Sequence, residues 1–268
     1  MAGLFQVLWG QPDGSFKPST ELKGTDDQPL IIPADEESVI ETICTRPSAV
    51  DWDADGDLDL VVGNFAGSFY VFTGEGHGRF LPEPQQIMTD NDKSPLKING
   101  FHSDPFPIDW DHDGDIDLIS GSSNGGVQWA ENVASAGKSP AFVSFRNLIV
   151  PGPEIQGDQF VSEAELTGPT RSTRVWVDDV NSDGKLDLLV GDSVMLAARA
   201  EGLSQEEFNQ KKAEWQKQMN EVSSEYSAAA GNAEKLGAAR TKMQELYARR
   251  SEFIIEERTG FVWLYLQK

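Results

Sequence analysis

The sequence predicts a mainly β fold built from repeats, with an α-helical hairpin inserted into it. Three observations carry this. An acidic ten-residue motif recurs three times, and each copy runs straight into an apolar, β-branched stretch. Aromatic segments bounded by glycine follow the first two copies, and a third such segment ends the chain. One long segment after the third copy has no proline and turns to Ala, Glu, Gln and Lys, a helical composition.

Taken in order, GLFQVLWGQPDGSF at 3–16 aligns with GSFYVFTGEGHGRF at 67–80, glycine for glycine and Phe16 for Phe80. The chain thus opens on the later half of a repeat, with no acidic loop before it. The first full repeat reads as the strands SAVDWD, LDLVVGNF, GSFYVFTG and PQQIMT. Phe69-Tyr70-Val71-Phe72 suits a strand buried on both faces. The second repeat reads as FPIDWD, IDLISGS, GVQWAEN and FVSFRNLIV, with Trp129 on its aromatic strand. Residues 1–193 form the repeat region, 194–257 the helical insertion, and 258–268 a final strand, GFVWLYLQK from 260, that again matches the aromatic strand.

In the insertion, Ser204 and Glu207 form a capping-box signature. Phe208, Trp215, Met219, Val222, Tyr226 and Ala229 make one apolar seam. After Gly231-Asn232 a second follows, through Leu236, Ala239, Met243, Leu246 and Phe253. Both have coiled-coil spacing, and the glycine break predicts an antiparallel hairpin. Its seams either bury each other or form an arm for a partner. Acids interspersed among its bases argue against a nucleic-acid arm.

The motifs are DWDADGDLDL at 51–60, DWDHDGDIDL at 109–118 and DVNSDGKLDL at 179–188. Oxygen-bearing residues at every second position are what a hard cation needs wrapped around it. The first loop offers Asp51, Asp53, Asp55 and Asp59 at positions one, three, five and nine, the Asp57 carbonyl at seven, and a turn at Gly56. The second repeats this with Asp109, Asp111, Asp113, Asp115 and Asp117, turning at Gly114. The third offers Asp179, Asn181, Asp183, Asp187 and the Lys185 carbonyl, turning at Gly184. Crowded carboxylates repel one another and favour a counterion. About three calcium ions are therefore expected, with the third site weakest because Asn181 is neutral. Three ions would bring the formal charge from −22 to −16. An EF-hand is excluded: position twelve holds Val62, Ser120 or Val190 instead of glutamate, and the flanks read as strands.

These residues resemble FG-GAP or VCBS-type repeats, related to integrin-α propellers, whose pattern is V-D-x-D-x-D-G-x-x-D-L-x-V-G. The matches are Val50–Gly63, Ile108–Gly121 and, more loosely, Val177–Gly191. The resemblance implies β-propeller blades with calcium in the loop joining two strands, and roles mostly in adhesion, recognition or scaffolding. The visible blades are too few to close a ring easily. The edge is completed by a second chain, or the chain is part of a longer protein, or residues 23–48 supply further strands.

Acids outnumber bases 44 to 22, which excludes phosphate neutralisation as a binding mode and so a nucleic-acid partner. No apolar run approaches membrane-spanning length, so no membrane insertion is expected. Residues 1–20 lack a secretion signal, while calcium use suggests an extracellular, cell-surface or periplasmic setting. Lone Cys44 excludes an internal disulfide and reads as a buried, inert thiol. His77, His102 and His112 lack spaced partners, and no catalytic motif is present. The reading is a non-catalytic interaction, adhesion or scaffold module bound by a protein partner or a second copy. One alternative is a glycan-binding, lectin-like propeller using Trp9, Trp129 or Trp263, although blade core is the favoured place for these. The other is part of a polysaccharide lyase or hydrolase.

Overall fold

The computed structural model describes residues 4–33, 39–91, 93–134, 138, 140–153 and 161–268. The chain divides into two compact units, one comprising Met1–Glu154, Thr167–Ser193 and Gly260–Lys268, the other Ile155–Leu166 and Val194–Thr259.

The first unit is a series of antiparallel sheets. It opens with a two-stranded ribbon, β1 (Gln6–Val7) and β2 (Thr20–Glu21). The first repeat forms a four-stranded meander of β3 (Arg46–Val50), β4 (Asp59–Gly63), β5 (Phe69–Phe72) and β6 (Gln85–Gln86). The second repeat does the same with β7 (Asp104–Ile108), β8 (Asp117–Gly121), β9 (Val127–Ala130) and β10 (Arg146–Ile149). The third contributes β11 (Arg174–Asp178) and β12 (Asp187–Gly191). Two strands of the other unit then intervene, β13 (Val194–Arg199) and β14 (Ile254–Thr259). Finally β15 (Val262–Tyr265) returns to pair with β12. Of residues 23–48, 34–38 lie outside the described residues. The described remainder adds an isolated Lys23–Pro29 bridge and a 3-10 turn at Val39–Thr42, but no strand before β3.

Two-residue alternation along the strands turns this series into stacked layers. On β4, Leu60 and Val62 pack with Phe5, Leu30 and Ile32 of the opening segment. Val61 points the other way, into a core shared with Leu118 and Ala130 of the second sheet. On β8, Leu118 faces back while Ile119 packs forward against Val177, Leu188 and Val190 of the third sheet. One residue on a central strand thus seats the previous layer and its neighbour seats the next. Phe80 and Phe142, at equivalent turns, are buried in the cores behind them, whereas their counterpart Phe16 is 65 % exposed.

Polar clasps hold successive layers in register. The Asn64 amide donates to Ser103 Oγ at 2.8 Å, and the Ser103 amide donates back to the Asn64 carbonyl at 3.0 Å. One layer on, the Ser122 amide donates to Thr173 Oγ1 at 2.8 Å and the Thr173 amide to the Ser122 carbonyl at 2.9 Å. Such close approach needs glycine just before each clasp. A Cβ on Gly63 would lie 2.4 Å from the Ser103 carbonyl oxygen, and one on Gly121 would lie 2.2 Å from that of Thr173. Gly191, at the same place in the third repeat, has nothing within 4 Å. Gly121→Ala is therefore expected to lower stability by about 2 kcal/mol or more through overpacking. Gly191→Ala is expected to be neutral or slightly stabilising. Urea midpoints of the two variants check the contrast.

In the second unit, α1 (Gln205–Ala228) and α2 (Ala233–Arg249) form the expected hairpin. Ser204 and Glu207 make the reciprocal capping box, and Asn232 caps α2 by accepting from the Lys235 amide. Side-chain pairings run in opposite directions along the two helices. Trp215 Nε1 donates to the Leu246 carbonyl at 2.7 Å, while Lys242 pairs with Glu225 at 2.7 Å. Phe208, Val222, Ala229, Ala239, Leu246 and Phe253 are buried, but Tyr226 of the expected seam is exposed. The segment 194–257 is not helical throughout. Its ends pair as β13 and β14 over six residue pairs, a stem below the helices. Ile254 and Ile255, both β-branched, favour that strand.

Candidate metal centres

Each acidic motif connects the first and second strands of its sheet, and the three loops share one backbone course. Position four is left-handed in all of them, at Ala54, His112 and Ser182, with φ of 61°, 62° and 61°. Position six is a glycine with φ of 97°, 96° and 85° at Gly56, Gly114 and Gly184. Glycine is required there because that φ strains any residue with a Cβ. The first aspartate accepts from the position-six amide, as Asp51 does from Gly56 (3.2 Å), Asp109 from Gly114 (3.1 Å) and Asp179 from Gly184 (2.9 Å). The fifth accepts from the seventh amide, as Asp55 does from Asp57 (2.8 Å), Asp113 from Asp115 (3.2 Å) and Asp183 from Lys185 (3.0 Å).

The ninth aspartate is different. Asp59, Asp117 and Asp187 are buried, at 2 %, 1 % and 0 % exposure. Each takes two backbone amides, one on each carboxylate oxygen. Asp59 accepts from Trp52 at 2.7 Å and Gly74 at 2.6 Å. Asp117 accepts from Trp110 at 3.2 Å and Asn132 at 2.7 Å, and Asp187 from Val180 at 3.1 Å and Gln267 at 2.9 Å. One side chain therefore pins the head of its loop to the end of the sheet's third strand. A sequence-based reading finds the aspartate but not its partners, because a main-chain amide leaves no residue signature.

Among the described residues, carboxylate oxygens gather within 4.8 Å of one another in two places: Asp51, Asp53 and Asp59 in the first loop, and Asp109, Asp111 and Asp113 in the second. Asp55, Asp57, Asp115 and Asp117 lie outside these two groups, and the third loop forms no such group. There the Asn181 amide donates to Asp183 at 3.1 Å, so an internal donor answers part of the charge. Asp51 Oδ1 is buried without a hydrogen-bond partner, as are both Asp115 carboxylate oxygens. An all-oxygen donor set with an unanswered buried oxygen fits a hard divalent cation.

The electrostatics agree. Burial raises the Asp53 carboxyl, helped by Asp59, Asp55 and Asp51. Burial, then repulsion from Asp113, Asp111 and Asp109, pushes Asp115 up to about 6. Asp117 also reaches about 6 through burial and Asp111, against the pull of the Asn132 and Trp110 amides. Both groups hold protons more tightly folded than unfolded, where the ordinary value is 3.8. Their contribution to stability is complete below that value and is lost as pH rises through about 6. Metal-free protein is expected to lose this part of its stability between those limits. An ion bound to the ionised cluster is expected to reverse the slope. Melting temperatures at pH 4.5 and 7, with and without calcium, check both.

Other flagged residues fall elsewhere. Trp129 and Trp263 pack against the core between the second and third sheets. Trp9 does not join them. It is 41 % exposed and lines an open groove of about 620 Å³ with Pro47, Ala49, Leu60 and His77, beside Asp57 of the first loop. Cys44 is exposed, contrary to the expected buried thiol. It follows the 3-10 turn in a left-handed conformation, φ 55°, that leaves its side chain at the surface.

Residues 51–120 match the family model of the FG-GAP-like repeat. The match begins at the first acidic loop and ends within β8, so the third motif lies beyond it. No curated protein and no solved structure matches the chain.

Proposed function

We propose that this chain is a non-catalytic, calcium-stabilised repeat module of β-propeller type that serves protein interaction, adhesion or scaffolding. The observation that carries this is the common geometry of the acidic loops, with two carboxylate clusters held in place by buried ninth-position aspartates. Calcium suits the site better than magnesium, because flexible oxygen-rich loops match its variable coordination. Asp51, Asp53 and Asp59 would hold one ion, and Asp109, Asp111 and Asp113 another. Asp55, Asp117 and the carbonyls of Asp57 and Asp115 are the remaining candidate donors. The third loop, through Asp179, Asn181, Asp183, Asp187 and the Lys185 carbonyl, would bind most weakly.

The ion would order the loops and neutralise them, leaving the sheet faces and the hairpin for partners. An extracellular, cell-surface or periplasmic setting supplies calcium at the level that weak sites need, about 10⁻⁴–10⁻³ M. Among the described residues no helix is long and apolar enough to cross a membrane. Hydrogen exchange tests the reading: calcium is expected to slow exchange of the amides in 51–59 and 109–117, with little effect from magnesium. Equal protection by both ions, or by neither, would contradict it.

A glycan-binding reading draws on one observation, the groove beneath Trp9, whose indole could stack on a sugar face. Glycan-array binding that Trp9→Ala abolishes would favour it over the protein-interaction reading.

A further inference from the structure

Position seven is where the three acidic loops part company, holding Asp57, Asp115 and Lys185. In each loop its amide donates to the aspartate at position five, so the backbone course is shared. The side chains go different ways. A Cβ on Gly76 would lie 3.0 and 3.1 Å from the two Asp57 carboxylate oxygens, and Asp57 lines the open groove with Trp9 and His77. That groove admits water, which solvates the Asp57 charge. Lys185 is exposed. Asp115 is only 9 % exposed, and neither of its carboxylate oxygens has a hydrogen-bond partner among the described residues.

A carboxylate shut away from water and given no donor is costly to keep ionised. Asp109, Asp113 and Asp117 of the same loop each accept at least one backbone amide, whereas Asp115 accepts none. The charges that bear on it are those of Asp113, Asp111 and Asp109, Asp113 most strongly. These are the three whose oxygens already gather within 4.8 Å. Repulsion among like charges holds a fourth carboxylate off such a group, and a cation removes that repulsion. On the strength of the cation reading proposed for these loops, we infer that the Asp115 side chain is a direct ligand and makes the second loop the tightest site. Affinity in oxygen-lined loops rises with the number of charged ligands. The second ion would be held by the side chains of Asp109, Asp111, Asp113 and Asp115, against Asp51, Asp53 and Asp59 for the first.

Hydrogen exchange of the full chain across a calcium titration reads the two loops separately. The amides of 109–117 are expected to reach half-protection at a calcium concentration at least ~5-fold below that needed for 51–59. Asp115→Asn keeps the shape of the side chain and removes its charge. It is expected to raise the calcium needed by 109–117 at least ~5-fold and to leave 51–59 where it was. It is also expected to raise the melting temperature of metal-free protein, by relieving repulsion among the aspartates. A residue that only held the loop in shape would lower that temperature, so the opposite movements of affinity and stability mark a ligand. Asp57→Asn is expected to shift neither loop. An unchanged midpoint for 109–117 in Asp115→Asn, or an equal shift in both loops, would overturn the inference and leave the loops as cation sites. So would protection of 51–59 ahead of 109–117 in the unaltered chain. Protection of neither loop would overturn the inference and the cation reading together.

Discussion

Asp117→Ala is expected to be among the most destabilising single changes in the repeat region, even without metal. The carboxylate is 1 % exposed and accepts the amides of Trp110 and Asn132, which follow β7 and β9, the strands on either side of β8. Hydrogen bonds to a charged group contribute about 1.5–3 kcal/mol each, and truncation leaves both amides unanswered. The burial that lifts the Asp117 carboxyl to about 6 offsets part of that gain. A net loss of roughly 3 kcal/mol remains. Asp117→Asn should be only slightly milder, since its amide group presents a donor to one of the two donors. Asp113→Ala is the control. Asp113 is exposed and accepts one loop amide at 3.2 Å, so in metal-free protein its loss should be felt by less than ~1 kcal/mol. Urea unfolding of the three variants without calcium makes the comparison. Equal effects at positions 113 and 117 would contradict the role of Asp117 in pinning its loop to the sheet.

The second large effect is expected from calcium itself. An ion that binds only the folded chain stabilises it by RT ln(1 + [L]/Kd), about 2.7 kcal/mol per site at a hundredfold excess over Kd. Two filled clusters would thus supply roughly 5 kcal/mol, or a rise in melting temperature on the order of 10–20 °C for a chain of this size. Pairing Asp51→Ala with Asp109→Ala removes the first ligand from both clusters and should abolish most of that rise. In the metal-free state the two substitutions should do little, because each removes only contacts within an exposed loop. A full calcium response in the double variant would place the ion elsewhere.

Much of this architecture is legible in the sequence, because repetition and alternation are direct consequences of layered sheets. The strands around each motif, the hairpin with its Ser204–Glu207 cap, and the third loop's departure all follow from residue type and spacing. Other features leave no such trace. The left-handed residues at position four are Ala54, His112 and Ser182, chemically unrelated and unmarked by glycine. The amides that seize the ninth aspartates come from Gly74, Asn132 and Gln267, the last of them 80 residues from Asp187. The stem of β13 and β14 joins segments separated by the whole hairpin, and neither alternates cleanly enough to show alone. Trp9 looks like a core tryptophan in sequence, yet it stands 41 % exposed on the groove beside the first loop.

Calorimetric titration of metal-free protein with calcium tests most directly whether the acidic loops are cation sites. The expected result is two ions bound per chain in the first phase. A weaker third should follow, strengthened by Asn181→Asp, and magnesium should fail to compete at equal concentration. Absence of calcium binding by a folded chain would contradict the account and leave Asp51, Asp53, Asp109 and Asp111 as an acidic surface without an ion.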